Sequence, residues 1–564
     1  ALHPFGTDAD TPFLTIAPYL IAVFVQPFRL LPDGSKAKHY YAVESARVDG
    51  KPRIVWQKYL GTIEGIISRT EEARPPKPKE TVIFQLGGIA GLLGIAQRLG
   101  LVELIDEAVP KRDQGPTVGQ YITLAAINRA LAPCSKLAIG EWYETTVLRR
   151  LWRFSKSVFT SQRFWDHMDM VSGDAIESIE EQLLGRLQRE FGIDARVLLY
   201  DTTNFFTFLA TGNDRSKLAQ RGHAKSKRHD LRLVGLALLV TRDFQIPLLH
   251  RTYPGNVPDV SLFPQISREL IERYRAIAGE CEEATLVFDK GNVSDDALEP
   301  LVVDGVHFVA ALPAHRAPEL LATPPDQYED APTIPGTRVF ATDQILWGKQ
   351  CRIVVAHSES FFTQQLAGVT QNLVKCQKRL LDLASSLAKW HQGKQRGRRP
   401  TVKGVQAKIR QILSAQFMRD LFQTTVTEDN GLPVLQYSVD HEALQKLTDE
   451  RLGKTVLVTD QTCWDAATVV QTYRSLTAVE DAFRNMKDNA FLHWQPAYHW
   501  TDQKLTVHTF YCVLGLLLAT LAHQEVVRAG IDLSLAALLK ELSKINEVAV
   551  IYPTGALARR KDHI

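Results

Sequence analysis

The sequence predicts a multidomain α/β protein: an α/β layer with carboxylates at its strand ends, broken by a long insertion and preceded by β-hairpin and helical modules. Three observations carry this expectation. Between 195 and 312, short apolar runs ending on an acid alternate with amphipathic helical segments. Upstream, from about 86 to 192, the apolar periodicity is helical. The length, 564 residues, asks for about three to five domains at roughly 100–200 residues each. A composition of 45% apolar and 23% charged residues excludes disordered, collagen-like and disulfide-scaffold chains.

In residues 39–60, HYYAVESARVDGKPRIVWQKYL, two β-rich runs flank Asp49-Gly50, a dipeptide suited to a tight turn, and predict a hairpin. The charged, proline-rich EEARPPKPKE at 71–80 reads as a linker, so 1–75 is expected to be a small β-containing module. In the helical module, 86–192, Leu92, Leu93, Ile95, Ala96, Leu99 and Leu101 form one apolar series. Ile122, Leu124, Ala125, Ile127 and Leu131 form another. Asp174 is expected to cap a helix running through Ile176, Ile179, Leu183 and Leu187. Ser161 is read as the N-cap of a helix over TSQRFWDHMD (160–169). That helix is either a DNA-recognition helix or one packed into a core by Phe164, Trp165 and Met168.

The α/β layer, 193–312, opens with the strand ARVLLYD (195–201) and a two-stranded hairpin at 231–256 turning around Thr241–Gln245. A helix (259–279), the strand segment ATLVFDKGN (284–292), a short helix near 295–303 and the strand VHFVAAL (306–312) complete it. Residues 313–470 interrupt this layout. They hold the strand-like TRVFA (337–341), CRIVVAH (351–357) and KTVLVTD (454–460) and a long helical stretch from about Phe361 to Leu421, broken near 391–404. From 471 to 564 the chain is read as helical, starting with YRSLTAVEDAFRNMKD at 473–488.

Six cysteines, at 134, 281, 351, 376, 463 and 512, form no CxxC and are never closer than 25 residues. That spacing predicts reduced thiols and a cytoplasmic protein without a disulfide framework or zinc site. The longest apolar run, Phe510–Ala522, has 13 residues where a membrane span needs about 20. It predicts a buried core helix and no membrane partner. The opening ALHPFGTDAD has no basic region ahead of an apolar stretch, so no signal peptide is expected.

The formal charge of +3 hides two basic tracks. Residues 215–232 hold Arg215, Lys217, Arg221, Lys225, Lys227, Arg228 and Arg232 against the single acid Asp230. Residues 389–410 hold Lys389, Lys394, Arg396, Arg398, Arg399, Lys403, Lys408 and Arg410 with no acid. The remaining 524 residues carry a net charge of −11. Clustered cations suit the phosphates of a nucleic acid, although a solvated basic loop has the same composition.

Three carboxylates stand out: Asp201 closes VLLYD, Asp289 closes TLVFD, and Glu480 lies inside the 473–488 helix. Acids at strand ends point into the crevice where α/β proteins bind ligands. Each alone also reads as a cap, turn or surface residue. Asp295 and Asp296, at a helix start, and Asp259, a cap by position, compete with Asp289 less well. At 100° per residue, Tyr473, Leu476, Thr477, Arg484 and Lys487 fall within about 60° of Glu480, whereas Asp481 lies about 100° away. This face is either a salt-bridged surface, with Glu480 pairing to Arg484, or a metal-and-phosphate surface.

Strand–Asp201, strand–Asp289 followed by Gly-Asn, and then a helix Tyr473-x6-Glu480-x6-Lys487 together resemble a DDE-type insertion-sequence transposase. The similarity is to the group with a Y-x2-R-x3-E-x6-K signature and an insertion between the second Asp and the Glu. YDTTNFF (200–206), RGHAKSKRHDLR (221–232), YPGNVPD (253–259), FDKGNVSD (288–295), AFRNMKD (482–488) and AYHWTDQKLTVHTFYCVLGLLL (497–518) extend it over roughly 190–525. Where the signature has Arg this chain has Leu476, so Arg474 or Arg484 would have to supply that phosphate contact.

The resemblance implies an RNase H-like catalytic core (193–312 and 471–564), an insertion domain (313–470) and an N-terminal helical module that binds DNA ends. It implies that Asp201, Asp289 and Glu480 bind Mg²⁺ or Mn²⁺, two ions roughly 3.5–4 Å apart. Tyr473, Arg484 and Lys487 would contact end DNA, and Lys225, Lys227, Arg228, Arg396, Arg398 and Arg399 further phosphates. The partners would be double-stranded DNA, as terminal inverted repeats and target, and a second protomer, since two ends must be joined. The protein would be prokaryotic and nucleoid-associated when bound to DNA. Two other readings stay open: an inactive, transposase-derived DNA-binding protein, and a metal-dependent phosphohydrolase of small substrates.

Overall fold

The computed structural model describes residues 21–30, 36–49, 51–72, 78–111, 114–209, 212–222, 230–278, 284–289, 298–299, 301, 305–495 and 497–552. The chain divides into two compact units, Ala1–Val82 with Val548–Ile564, and Ile83–Glu547. In the first, β2 (Lys36–Val48) and β3 (Lys51–Gly61) form the expected hairpin, with Asp49 at φ 53° in its turn. The sequence reading missed a third strand, β1 (Ile21–Leu30), antiparallel to β2. Helix α1 (Ile63–Glu72) follows β3.

The second unit begins with helices α2 (Gly87–Arg98), α3 (Leu101–Ala108), α4 (Val118–Leu131), α5 (Ser161–Met170) and α6 (Gly173–Phe191). Helix α4 opens with a capping box: Thr117 accepts from Gln120 N, and the Gln120 side chain accepts from Thr117 N. Two expected caps shift by one or two residues. Ser172, in extended conformation, accepts from Ala175 N and caps α6, while Asp174 falls in the first turn, where a carboxylate favours the helix dipole. Likewise Thr160, not Ser161, caps α5. Phe164, His167 and Met168 of α5 are buried, so one face of this helix packs into the core.

Nine strands form one mixed sheet. Strand β4 (Val197–Thr207) lies between antiparallel β5 (Arg232–Thr241) and parallel β7 (Thr285–Phe288). β6 (Pro247–Pro254) pairs antiparallel with β5, and β8 (His307–Leu312) pairs parallel with β7. The β5–β6 turn holds Phe244 and Gln245 at positive φ, closed by Thr241 N donating to Ile246 O. Helix α7 (Asp259–Ala278) leads from β6 toward β7.

The segment 313–470 divides in two. Residues 329–330, β9 (Thr337–Leu346), β10 (Lys349–Ser358) and β13 (Lys454–Thr459) extend the same sheet, because β13 pairs antiparallel with both β8 and β10. Between β10 and β13 lie α8 (Glu359–His391), α9 (Val402–Ile412), the hairpin β11 (Phe422–Asp429)–β12 (Leu432–Val439) and α10 (His441–Glu450). These have a core of their own, including Cys376, Leu380, Leu387, Met418 and Leu421. Asp460 ties the added strands to the sheet: its buried carboxylate accepts from Lys349 Nζ (2.6 Å) and Phe308 N (2.9 Å) and meets His307 Nδ1 (2.8 Å).

The chain closes with α11 (Ala466–Arg474), α12 (Thr477–Asn485), α13 (Asp502–Arg528) and α14 (Leu535–Ser543). By length and composition α13 is capable of crossing a membrane, yet its most apolar 18-residue window is 94% buried within the protein. It is the expected core helix, packed against α4 and β6, and His250 of β6 stacks on its Phe510.

Candidate active site

The sheet register places the two acids side by side, although Asp201 does not end its strand as expected. β4 runs on through the β-prone Thr202–Thr207, so this acid lies mid-strand, while Asp289 directly follows β7. Leu199 of β4 pairs with Val287 of β7 in parallel register, and Asp201 and Asp289 each lie two residues further on. Side chains two residues apart share a face, so both carboxylates leave the sheet level with one another on the Leu199/Val287 face. The intervening Tyr200 and Phe288 face the other way, and both pack on Phe263 of α7, at ring separations of 5.1 and 4.6 Å. One face of this strand pair is thus sealed by α7, and the other carries the acids.

Glu480 arrives on α12, whose buried residues are Val479, Ala482 and Phe483. The single helix expected over 473–488 is broken: α11 ends at Arg474, and α12 starts at Thr477. Competition from hydroxyl side chains explains the break. Ser475 Oγ donates to Thr472 O (2.6 Å) and Thr477 Oγ1 to Arg474 O (3.0 Å), while the backbone crosses the gap with i−3 bonds from Leu476, Ala478 and Val479. Tyr473 and Glu480 therefore belong to different helices.

Tyr473 reaches one of these acids directly. Its hydroxyl donates to Asp289 Oδ1 at 2.9 Å. Burial pushes the phenol well above its ordinary 10.0, and the charges of Asp289, Glu480 and Asp201 push it the same way, Asp289 most strongly of the three. The helix that carries Glu480, α12, packs against β4, the strand that carries Asp201.

The neighbouring cations are arranged differently from the helical-wheel expectation. Arg484 pairs with Asp481 at 2.5 Å, not with Glu480, and its side chain is 75% exposed. Leu476 is buried, and Arg474 donates to Thr337 Oγ1 at 2.9 Å. Lys487 lies past the end of α12. Its Nζ donates to Thr203 Oγ1 (2.5 Å) and sits 5.3 Å from the Phe205 ring centroid. Thr203 and Phe205 share the Asp201 face of β4, so Lys487 is laid along the acidic strand. Phe205 in turn stacks on Trp494 at 4.7 Å.

Of the first basic track, Lys225, Lys227 and Arg228 lie outside the described residues. Its start is moored to the first turn of α13: Asp502 accepts from Ser216 Oγ (2.7 Å), Lys217 N (3.0 Å) and Leu218 N (2.9 Å). In the second track all eight cations are exposed, and none forms an ion pair among the described residues. Arg399 donates to the Gly431 carbonyl (2.9 Å) in the β11–β12 turn, while Arg396 and Arg398 make no such contact.

Asp201, Asp289 and Glu480 are hard-oxygen donors of the type that suits Mg²⁺ or Mn²⁺. Among the described residues no group of three or more His, Cys, Asp or Glu side chains is placed to hold a metal ion. Mg²⁺ is ordinarily held by one or two carboxylates with water and substrate phosphate, so a partial set matches this ion's habits. Sequence reasoning missed Thr203, Phe205, Trp494 and Asp502. The period-2 pattern from Asp201 signals the first two; Trp494 and Asp502 have no local signal.

No family model matches the chain. A curated relative, the iodotyrosine deiodinase of Haliscomenobacter hydrossis, is 55% identical over 47 residues, 8% of this chain and 21% of that protein. The chain thus spans about a fifth of that relative's length. Among solved structures, a piggyBac transposase synaptic complex with hairpin DNA aligns over 80% of this chain and 79% of its own, at 9% identity and TM-score 0.35. A Mos1 transposase paired-end complex with left transposon end covers 37% of this chain and 63% of its own, at 11% identity and TM-score 0.16. At these scores neither likeness bears on the function of this chain.

Proposed function

We propose that the chain is a DDE-type transposase of the Y-R-E-K insertion-sequence group, which cuts and joins DNA at the ends of its element. The observation that carries this reading is the level register of Asp201 and Asp289 on adjacent parallel strands, with the Tyr473 hydroxyl on Asp289 and the Glu480 helix packed against β4. The strand order β6-β5-β4-β7-β8, with one antiparallel hairpin beside parallel strands, supports an RNase H-like core. The helices with their own core between β10 and β13 are what an insertion before the Glu-bearing helix requires.

Asp201, Asp289 and Glu480 would hold two Mg²⁺ or Mn²⁺ ions. Such an ion pair supplies activation of the attacking oxygen and stabilisation of the leaving one in phosphodiester cleavage. The chain's own groups do the rest. Tyr473 fixes the Asp289 carboxylate by donating to one of its oxygens. Lys487, held along β4, faces an incoming phosphate, and Arg484, exposed past Asp481, takes the contact that Leu476 does not make. The basic tracks at 215–232 and 389–410 would supply further phosphate contacts. Water would attack first, releasing a 3′-OH; that hydroxyl would then attack a target phosphodiester, with no covalent protein–DNA intermediate. Joining two ends implies at least two protomers.

The test is cleavage of labelled element-end DNA with Mg²⁺ by the wild-type chain and by Asp289→Ala, with binding and folding checked in both. Cleavage that persists in a folded, DNA-binding Asp289→Ala sinks the reading. Binding without metal-dependent nicking by the wild type would favour an inactive descendant, and turnover of a nucleotide or sugar phosphate in place of DNA would favour a small-substrate phosphohydrolase.

A further inference from the structure

Residues 486–495 link α12 to the chain that leads into α13, and almost none of their backbone is helical or extended. Yet three successive carbonyls of this link are gripped by buried side chains from other elements. Arg129 of α4, 1% exposed, donates Nη1 to His493 O (3.3 Å) and Gln495 O (2.8 Å), and Nη2 to Cys134 O (2.5 Å). His508 of α13, fully buried, has Nε2 at 2.8 Å from Trp494 O.

The protonation state of His508 follows from its surroundings. Burial, with His499, Arg129 and Lys136 nearby, holds the imidazole well below its ordinary value, so it is neutral. The bond to Trp494 O then requires the proton on Nε2, which leaves Nδ1 to accept from the Tyr511 hydroxyl. The histidine has one tautomer and one direction.

Between them these groups fix what lies at the acidic face. Trp494 N donates to Met486 O (2.9 Å), which closes the link into a loop; the Trp494 ring stacks on Phe205, and Lys487 reaches Thr203. Burying a guanidinium is costly unless it is well bonded. Apolar packing alone would bury this link without that cost, whereas directed donors to consecutive carbonyls also set its orientation.

We propose that Arg129 and His508 are positioning residues of the acidic site: by holding the 493–495 carbonyls they set Lys487 against Thr203, and α12 with Glu480 against Asp201 and Asp289. The role in catalysis rests on the DNA-cleavage reading above; the grip on the loop does not.

The experiment uses the full chain as wild type, Arg129→Met, Arg129→Lys, His508→Leu and His508→Gln. Glutamine at 508 keeps a donor for Trp494 O and an acceptor for Tyr511, so it serves as the rescue. Three readouts are taken: amide hydrogen exchange over 486–495 without DNA, Mn²⁺ affinity by electron paramagnetic resonance, and single-turnover cleavage beside end-DNA affinity. Arg129→Met and His508→Leu should speed exchange in 486–495. They should weaken Mn²⁺ binding and slow cleavage by about 10–100-fold with DNA affinity within about twofold, and His508→Gln should restore both. If Arg129→Met does not fold, the His508 pair and Arg129→Lys carry the test. Unchanged exchange, or faster exchange with Mn²⁺ affinity and cleavage untouched, overturns the positioning role while leaving the functional reading standing. A wild-type chain that neither binds Mn²⁺ nor cuts DNA overturns the functional reading and the catalytic role together.

Discussion

The Tyr473 hydroxyl donates to Asp289 Oδ1 across 2.9 Å, joining the last turn of α11 to the acid that follows β7. A phenol in this position fixes which oxygen of the carboxylate is engaged and in what plane, as outer partners of metal ligands generally do. Tyr473→Phe keeps the ring and removes the donor. The expected result is a cleavage rate lowered by roughly 10–100-fold with DNA affinity nearly unchanged, read by single-turnover kinetics beside a binding assay. An unchanged rate would show that Asp289 needs no orienting donor.

The same phenol should be visible in stability at alkaline pH. Its folded-state value lies above the ordinary 10.0, so the folded chain keeps the proton that the unfolded chain loses. The associated stability is fully present below about pH 10 and is lost as pH rises further. Tyr121 and Tyr328, pushed up to about 12 by burial, act in the same direction. Tyr473→Phe should therefore lose less stability than wild type between about pH 9 and 11 in denaturant titrations. Parallel curves for the two proteins would contradict the buried site, hydrogen-bonded to Asp289, described for Tyr473.

The second basic track separates two kinds of arginine. Arg396 and Arg398 are exposed and unpaired among the described residues, whereas Arg399 holds the Gly431 carbonyl of the β11–β12 turn. Replacing both Arg396 and Arg398 by Ala should weaken DNA binding for all sequences. It should also flatten the dependence of log K on log salt by about 0.9 for each phosphate that is no longer neutralised. Arg399→Ala should instead lower the melting temperature with little change in that slope. Equal effects in both variants would mean that the track acts as a whole and not residue by residue.

How much of this was legible in the sequence differs by residue. Asp289 was, because a short buried strand followed by an acid leaves a local mark. Asp201 closes an apolar run in the same way, but its strand continues through polar and aromatic β-formers to Thr207. The level register of the two follows once the strands are parallel. The expected 473–488 helix failed because its apolar periodicity is continuous, while Ser475 and Thr477, which redirect the carbonyls of Thr472 and Arg474, leave no trace in periodicity. The sharing of one sheet by β10, β13 and β8 was also hidden. Those pairings join segments separated by a whole helical body, and pairing partners over such distances have no local signal. The carbonyl grip by Arg129 lay beyond reach for the same reason.

Lys487 offers the sharpest division between charge and placement. Its ammonium donates to Thr203 Oγ1 on the Asp201 face, which lays it along the strand that carries the acid. Lys487→Met removes the charge but keeps most of the stem that lies near Phe205. It should weaken end-DNA binding, reduce the salt slope by about 0.9, and slow cleavage. Thr203→Val keeps the charge and removes only the acceptor, so the salt slope should stay at the wild-type value while cleavage slows. Making both changes together tests whether they act through one hydrogen bond: the double variant should then cleave no more slowly than Lys487→Met alone, since neighbours that work as a pair are not additive. Losses that simply multiply would separate Thr203 from Lys487 and return the lysine to an ordinary surface cation.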